Sequence, residues 1–341
     1  MQPAPGLVDC QDLLYRSPGG GKAPVFFANT QLLQKYRQMK QTPANKNAEE
    51  ERLQCMEVWG GNRATERCFQ LPGMSISLYS HPYGHDSSGG DVYYLSSCAA
   101  GRLTRLLLAD VSGHGSTVSG IATGLRDLMR KNINRIRQTR FVQNMNQQFS
   151  KLSEGGGFAT AVVGSYFAPT RNLSLCNAGH PPPVIFRQQT QSWTTIDHDL
   201  TPSSQITDTP LGVIEAAEYR EFSLPLQTGD MVLCYSDAII ESETPAGSML
   251  GTTGLLNLLA DLNDPRPADL IARLLAQIQS FSPANNFQDD TTMMLCWATD
   301  QRATTKNNLL APFRMLGTVS DKTSWYASRR ERAESVPGET L

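Results

Sequence analysis

Five aspartates in this 341-residue sequence stand at the ends of strand-like segments. Asp91 follows two glycines and opens DVYYLSS, and Asp110 closes RLTRLLLAD. The intervening CAAGR predicts a hairpin turn, so we expect Asp91 and Asp110 to meet at one edge of a sheet. Asp237 closes MVLCYSD, and Asp289 and Asp290 stand directly before TTMMLCWA. The pattern predicts carboxylates gathered from several strand ends.

Carboxylates that share one sheet edge repel one another, and a divalent cation can compensate their charge. Mg²⁺ and Mn²⁺ prefer oxygen ligands, and two such ions can activate a shared water for in-line attack on phosphorus. Nearby glycines would permit tight turns and a close approach of the backbone to metal and phosphate. They are Gly89, Gly90, Gly113 and Gly115. Turn formation or helix capping also explains an aspartate at such a place, so the residues alone leave both interpretations open.

The elements around these aspartates predict an α+β fold built on antiparallel sheets. Strand-like segments follow one another in hairpins, and helical patterns come in pairs between groups of strands. This order disfavours a doubly wound parallel sheet. The helical patterns cover residues 116–136, 140–154, 251–262 and 267–281.

Changes in composition predict one folded domain between two appendages. Residues 1–68 contain two short helical patterns, at 30–41 and 45–59. This helix pair fits a packing or linker role, and a regulatory role that tunes activity is the other interpretation; neither makes it part of the core fold. Residues 69–300 form the predicted domain, and residues 301–341 form a polar tail.

Composition argues against several classes of protein. A formal net charge of −2 supplies no strong attraction to nucleic acid or to an anionic membrane. We expect no membrane span, because no apolar run is long enough, and no signal peptide, because the N-terminus lacks a basic and then apolar pattern. Seven cysteines without a CxxC motif indicate reduced thiols and a cytoplasmic protein.

Seven motifs occur in the order expected for the metal-dependent protein phosphatases of the PPM superfamily, and the sequence most resembles their bacterial SpoIIE/RsbU branch. The motifs are SGGDVYYL, LLLADVSGHG, FATAVVGSYF, LSLCNAGHPPPVIF, TPLGV, LQTGDMVLCYSDAIIES and QDDTTMML. The resemblance covers roughly residues 70–300. It implies an αββα sandwich, in which two antiparallel sheets pack face to face, helices cover them, and a two-metal site lies at one end.

The resemblance also implies two divalent cofactors, Mn²⁺ or Mg²⁺, and a role for each aspartate. Asp110 would bridge both ions, and the water between them would attack phosphoserine or phosphothreonine without a phospho-enzyme intermediate. Asp91 and the backbone carbonyl of Val111 would serve the second ion. The implied catalytic set is Asp91, Asp110, Asp237 and Asp289, and the implied ligand set adds the Val111 carbonyl and, in an outer position, Asp290.

Three residues near these motifs allow two interpretations each. Ala238 stands where the family usually has glycine. Alanine is neutral there if its φ is negative; if φ is positive, the strained turn displaces Asp237. His114 could protonate the leaving serine oxygen, or it could be a turn residue beside the metal loop. His180, in NAGHPPP, is interpreted as structural, with substrate contact as the alternative.

Three functions are compatible with these features. The first is an active protein serine/threonine phosphatase, whose implied substrate is a small phosphorylated STAS-type regulator such as an anti-sigma-factor antagonist. The second is an inactive scaffold of the same fold that binds a signalling partner, and the third is a hydrolase of small phosphate esters. The retained acidic positions favour an active enzyme over a scaffold, since a scaffold has no electrostatic reason to keep mutually repelling carboxylates. The oligomeric state stays open, a homodimer included.

Overall fold

The computed structural model of the chain describes most of residues 58–301. The described ranges are 58–83, 88–98, 101–112, 116–133, 135–153, 157–197, 207–262, 265–282, 285 and 289–301. The predictions for residues 1–57, for residues 302–341 and for His114 lie outside the described residues.

Strands dominate the described part of the chain. In chain order they are β1 (Val58–Gly61), β2 (Thr65–Leu71), β3 (Met74–His81), β4 (Asp91–Cys98), β5 (Leu103–Val111), β6 (Ala159–Phe167), β7 (Asn172–Ala178), β8 (Val184–Arg187), β9 (Ser192–Thr195), β10 (Phe222–Pro225), β11 (Met231–Tyr235) and β12 (Thr291–Ala298). The helices are α1 (Ser116–Asn132), α2 (Gln138–Leu152), α3 (Asp237–Ile240), α4 (Gly251–Asp261) and α5 (Leu270–Phe281).

The strands form two sheets in which every paired neighbour is antiparallel. The first sheet has the order β1-β4-β5-β6-β7-β10, and the second has the order β2-β3-β12-β11-β8-β9. β12, the last strand, lies in the middle of the second sheet between β3 and β11. The prediction of antiparallel sheets with helices inserted in pairs is confirmed.

Three apolar cores hold four layers together. One core lies between the sheets, a second joins α1 and α2 to the first sheet, and a third joins α4 and α5 to the second sheet. The apolar positions of α1 recur at helical spacing, so one face is buried against the first sheet; they are Val118, Ala122, Leu125 and Met129. The predicted αββα sandwich is confirmed. No helix in the described ranges is long and apolar enough to cross a membrane.

The N-terminal boundary of the folded unit needs a correction. The sequence patterns predict that residues 58–68 lie in a segment outside the core, with Val58 and Trp59 at the end of a helix. Instead β1 pairs with β4, and β2 pairs with β3, so these residues belong to the sheets. Both strands lie at sheet edges, and the first half of β2 is largely exposed, so β2 lacks the full alternation typical of a half-buried strand.

Candidate active site

Asp91 and Asp110 lie opposite each other on adjacent strands of the first sheet. The register of β4 and β5 makes their Cα atoms direct partners. Because side chains alternate along a strand, both share the sheet face of Tyr93 and Leu108, which are buried between the two sheets. Asp91 is only 3% exposed. The predicted meeting of these two aspartates at one sheet edge is confirmed.

The second sheet brings three further aspartates to the same end of the sandwich. Asp237 begins α3 just after β11, and Asp289 and Asp290 stand just before β12. The two strand ends are joined through Ser236, whose backbone N–H donates to the Thr292 carbonyl at 2.9 Å. The Thr292 N–H donates in return to the Ser236 hydroxyl oxygen at 2.9 Å. Pairing of β11 with β12 therefore gathers their acidic residues.

Asp110 lies in the electrostatic field of both sheets. Burial first, and then the charges of four neighbouring carboxylates, raise the pKa of Asp110 to about 7. The four neighbours are Asp237, Asp289, Asp290 and Glu241. Asp237 and Glu241 lie at the two ends of α3, which follows β11, and Asp289 and Asp290 precede β12, so sheet packing has brought carboxylates from both sheets into one cluster. Mutual repulsion of this kind disfavours ionisation until a cation is present.

The pKa values of the surrounding acids shift in the same direction. Burial, and then the charge of Asp110, hold the pKa of Asp91 well above its ordinary value. Burial and then Asp289 raise the pKa of Asp237, and burial followed by Asp237 raises the pKa of Glu241. Glu241 is not among the site residues that the sequence predicts. Its spacing of four residues from Asp237 was the available signal, because a helical turn places such residues on one face.

Asp290 uses its carboxylate to hold the β3–β4 connection against the second sheet. Its Oδ1 accepts the backbone N–H of Tyr83 at 2.7 Å, and its Oδ2 accepts those of Gly90 at 2.5 Å and Asp91 at 3.4 Å. A Cβ atom on Gly89 would overlap this carboxylate, so that position requires glycine. The contacts assign Asp290 to fixing the backbone that carries Asp91.

The residues at this edge fit a hard divalent cation. A Cβ on Gly90 would lie 3.1 Å from the Val111 carbonyl oxygen and 3.4 Å from Oδ1 of Asp110, so glycine keeps space free beside both oxygens. Oδ2 of Asp91 is buried without a hydrogen-bond partner. The available ligand atoms are oxygens, which suit Mg²⁺ and Mn²⁺. In the described part of the chain no three His, Cys, Asp or Glu side chains already converge on a metal position. The fit therefore rests on these oxygens and on the free space.

The structure places two of the three residues that allowed alternative interpretations. His180 is 5% exposed at the turn between β7 and β8, which agrees with its structural interpretation. Ala238 lies in α3 and is not one of the described non-glycine residues with positive φ. Its backbone therefore does not require glycine, and the methyl group does not strain the turn beside Asp237.

Comparison with known proteins identifies the family. The family model described as stage II sporulation protein E (SpoIIE) matches residues 100–297, which is more than half of the chain. The chain belongs to the SpoIIE family. The resemblance to the SpoIIE/RsbU branch of PPM phosphatases is thereby confirmed. The matched residues run from the β4–β5 hairpin to β12 and include all of the predicted ligands except Asp91.

Relatives of this SpoIIE-family chain include named phosphatases. Phosphoserine phosphatase RsbP of Bacillus subtilis is 24% identical over 195 residues, which are 56% of this chain and 44% of RsbP. The chain thus matches less than half the length of this relative. The RsbU and RsbW domains of Rv1364c from Mycobacterium tuberculosis are 25% identical, with a TM-score of 0.55 over 71% of this chain and 64% of that one. RsbX in complex with magnesium is 12% identical, with a TM-score of 0.50 over 69% and 100%, a likeness of fold.

Proposed function

We propose that this SpoIIE-family chain is a protein serine/threonine phosphatase that hydrolyses phosphoserine or phosphothreonine on a partner protein. The observation that carries the proposal is the cluster itself, in which Asp91 and Asp110 lie in register and Asp237 and Asp289 approach from the other sheet. A fold without chemistry at this edge gains nothing from burying acids that repel one another. The name of RsbP, a phosphoserine phosphatase, supports the same reaction.

The cluster would hold two divalent cations, Mn²⁺ or Mg²⁺. Asp110 would be shared between them, Asp91 and the Val111 carbonyl would serve one ion, and Asp237 and Asp289 would serve the other. When bound, the ions would supply a water activated for attack on phosphorus. The magnesium in RsbX supports this choice of metal.

Residues of the chain itself prepare the site for these ions. Asp290 anchors the backbone of Gly90 and Asp91, so Asp91 enters the interior at a fixed place. Gly90 leaves the Val111 carbonyl oxygen accessible from the site. The buried Asp91 and the half-buried Asp110 must lose their protons to act as ligands, so cation binding and deprotonation are coupled.

We propose a small phosphorylated STAS-type regulator, such as an anti-sigma-factor antagonist, as the substrate, and the cytoplasm as the place of reaction. The first choice follows from the resemblance to the SpoIIE/RsbU branch. The second is supported by Cys176, Cys234 and Cys296, which are buried free thiols and suit a reducing compartment.

Phosphate release from a serine-phosphorylated STAS-domain protein tests this function. The full chain should release phosphate with Mn²⁺ or Mg²⁺, lose activity in EDTA and regain it when the metal is restored. Asp110→Asn should lower turnover by orders of magnitude, because a shared ligand supports both ions. Asp127→Asn, on the outer helix α1, is the matched control and should keep full turnover. Full activity in metal-free buffer, or no phosphate release with any of these metals, would contradict the proposal.

A further inference from the structure

The turn between β7 and β8 carries the buried side chain of His180 at a fixed position. The Asn177 side chain accepts the His180 backbone N–H at 2.8 Å and donates to the His180 carbonyl oxygen at 2.8 Å. Gly179 has a φ of +69°, and a Cβ there would lie 2.6 Å from the ring of Pro210. Only glycine suits that position, for its conformation and for its size. The imidazole of His180 therefore starts from a rigid backbone.

Both ring nitrogens of His180 are hydrogen-bonded in the interior. Nε2 lies 3.0 Å from the Tyr235 carbonyl oxygen, and Nδ1 lies 2.8 Å from the Thr160 hydroxyl oxygen. A carbonyl oxygen only accepts, so Nε2 carries the hydrogen, and Nδ1 accepts from the Thr160 hydroxyl. Burial lowers the pKa of His180 to about 4, which agrees with a neutral ring that has one donor and one acceptor.

These two bonds connect the strands that carry the acidic cluster. Thr160 is the Cα partner of Asp110 across β5 and β6, in the first sheet. Tyr235 ends β11 in the second sheet, two residues before Asp237. The Tyr235 hydroxyl also donates to the Pro182 carbonyl oxygen at 2.9 Å. One turn thus holds Tyr235 by its main chain and by its side chain.

We propose that His180 is a positioning residue that ties the two sheets together beside the acidic cluster and sets the place of Asp237 relative to Asp110. Repulsion among the carboxylates acts to separate the sheet edges before a cation binds. A neutral ring that bonds to both sheets opposes this separation without adding charge to the cluster. The consequence for metal binding rests on the proposed function, whereas the tie between the sheets does not.

Two variants of the full chain remove the tie to different extents. His180→Phe keeps a planar ring but removes both polar atoms, and it leaves the Tyr235 carbonyl and the Thr160 hydroxyl unpaired. Thr160→Val keeps the shape of the side chain and removes one bond. Thr194→Val is the matched control, because Thr194 is an exposed strand threonine on β9, outside the cluster.

Hydrogen exchange of the metal-free proteins measures directly how firmly the hydrogen bonds of His180 hold the backbone around Tyr235. We expect amide exchange in peptides covering residues 235–241 to accelerate at least tenfold in His180→Phe and at least threefold in Thr160→Val. Calorimetric titration should show Mn²⁺ affinity falling by similar factors. On a phosphoserine substrate at saturating Mn²⁺, kcat should fall while KM stays unchanged. Thr194→Val should match the wild type in all three measurements.

The possible results separate this inference from the proposed function. Folded variants with wild-type exchange at residues 235–241 and wild-type Mn²⁺ affinity would overturn the inference, even if their overall stability were lower. If His180→Phe does not fold, Thr160→Val decides by the same two measurements. A wild-type chain that neither binds Mn²⁺ nor releases phosphate would overturn the proposed function. Faster exchange in the variants of such a chain would still support the tie between the sheets.

Discussion

Replacing Asp110 with asparagine should stabilise the metal-free protein while it removes activity. Asp110 has an ordinary pKa of 3.8 and a pKa of about 7 in the folded chain. The folded protein therefore binds this proton more tightly than the unfolded chain does. Below pH 4 both states carry the proton, and the contribution to stability is fully present. Stability is then lost as the pH rises through the folded pKa, most of it between pH 4 and pH 7.

The size of the effect follows from the same two pKa values. Each pKa unit corresponds to about 1.4 kcal/mol, so ionised Asp110 costs the folded state at most about 4 kcal/mol at pH 7.5 and about 2 kcal/mol at pH 5. Asparagine has a similar shape and no charge to lose. Because Asp110 is partly exposed and solvent screens part of the repulsion, we expect Asp110→Asn to gain about 2–4 kcal/mol at pH 7.5.

Urea unfolding in EDTA at several pH values between 4 and 8 measures this gain. The advantage of Asp110→Asn over the wild type should grow with pH and level off above pH 7. Asp127→Asn is the control, since Asp127 is about half exposed and its ion pairs with Arg130 at 3.3 Å and Arg126 at 4.0 Å lie at the surface; it should change stability by less than about 1 kcal/mol. The reasoning is refuted if Asp110→Asn is no more stable than the wild type at pH 7.5, or if its advantage does not depend on pH.

Adding Mn²⁺ should reverse the order of the two proteins. A ligand at one thousand times its dissociation constant stabilises the folded state by about 4.1 kcal/mol, which exceeds the expected advantage of Asp110→Asn at pH 7.5. The wild type should gain this amount, and the gain should increase with pH as the carboxylates lose their protons. Asp110→Asn should gain little, because the shared ligand is missing. An equal Mn²⁺ response in both proteins would show that Asp110 is not a ligand.

Three further changes test neighbouring parts of the structure. Ala238→Gly should change the Mn²⁺ concentration for half-maximal activity by less than about threefold, roughly 0.7 kcal/mol, because the helical turn does not require glycine. A tenfold decrease in this Mn²⁺ concentration would contradict the prediction. Asp290→Asn should lower the free energy of unfolding in EDTA by roughly 1–3 kcal/mol, opposite in sign to Asp110→Asn, because an amide cannot accept every backbone N–H that the carboxylate accepts. A more stable variant would refute the role of Asp290 in fixing the backbone that carries Asp91. A chain that begins at Val58 should keep the fold but differ in turnover from the full chain. A chain that begins at Cys68 should melt at a lower temperature than the one that begins at Val58, because it lacks β1 and half of β2. Equal melting curves of these two chains by circular dichroism would count against the assignment of the two strands to the core.

Local sequence patterns predicted most of the elements, although not β1 and the start of β2, and they predicted the pairing of two aspartates in the candidate site. The apolar positions of α1 repeat at helical spacing, and the strands β4 and β5 are joined by a short turn. A short connection between antiparallel strands limits the possible registers, so the pairing of Asp91 with Asp110 could be predicted from residues close together in the chain. The layer arrangement and the roles of the aspartates came from the resemblance to a family. The layers are confirmed, and the roles stay predictions.

The rest of the site depends on contacts between distant segments, for which the sequence has no local signal. Asp290 bonds to Gly90 across 200 residues, and His180 reaches Tyr235 across 55. β12 must insert between β3 and β11 before these contacts exist. The pKa of Asp110 likewise follows from burial and from charges carried by the other sheet. Desolvation and Coulomb repulsion depend on distances in space, and only the packing of the two sheets sets those distances.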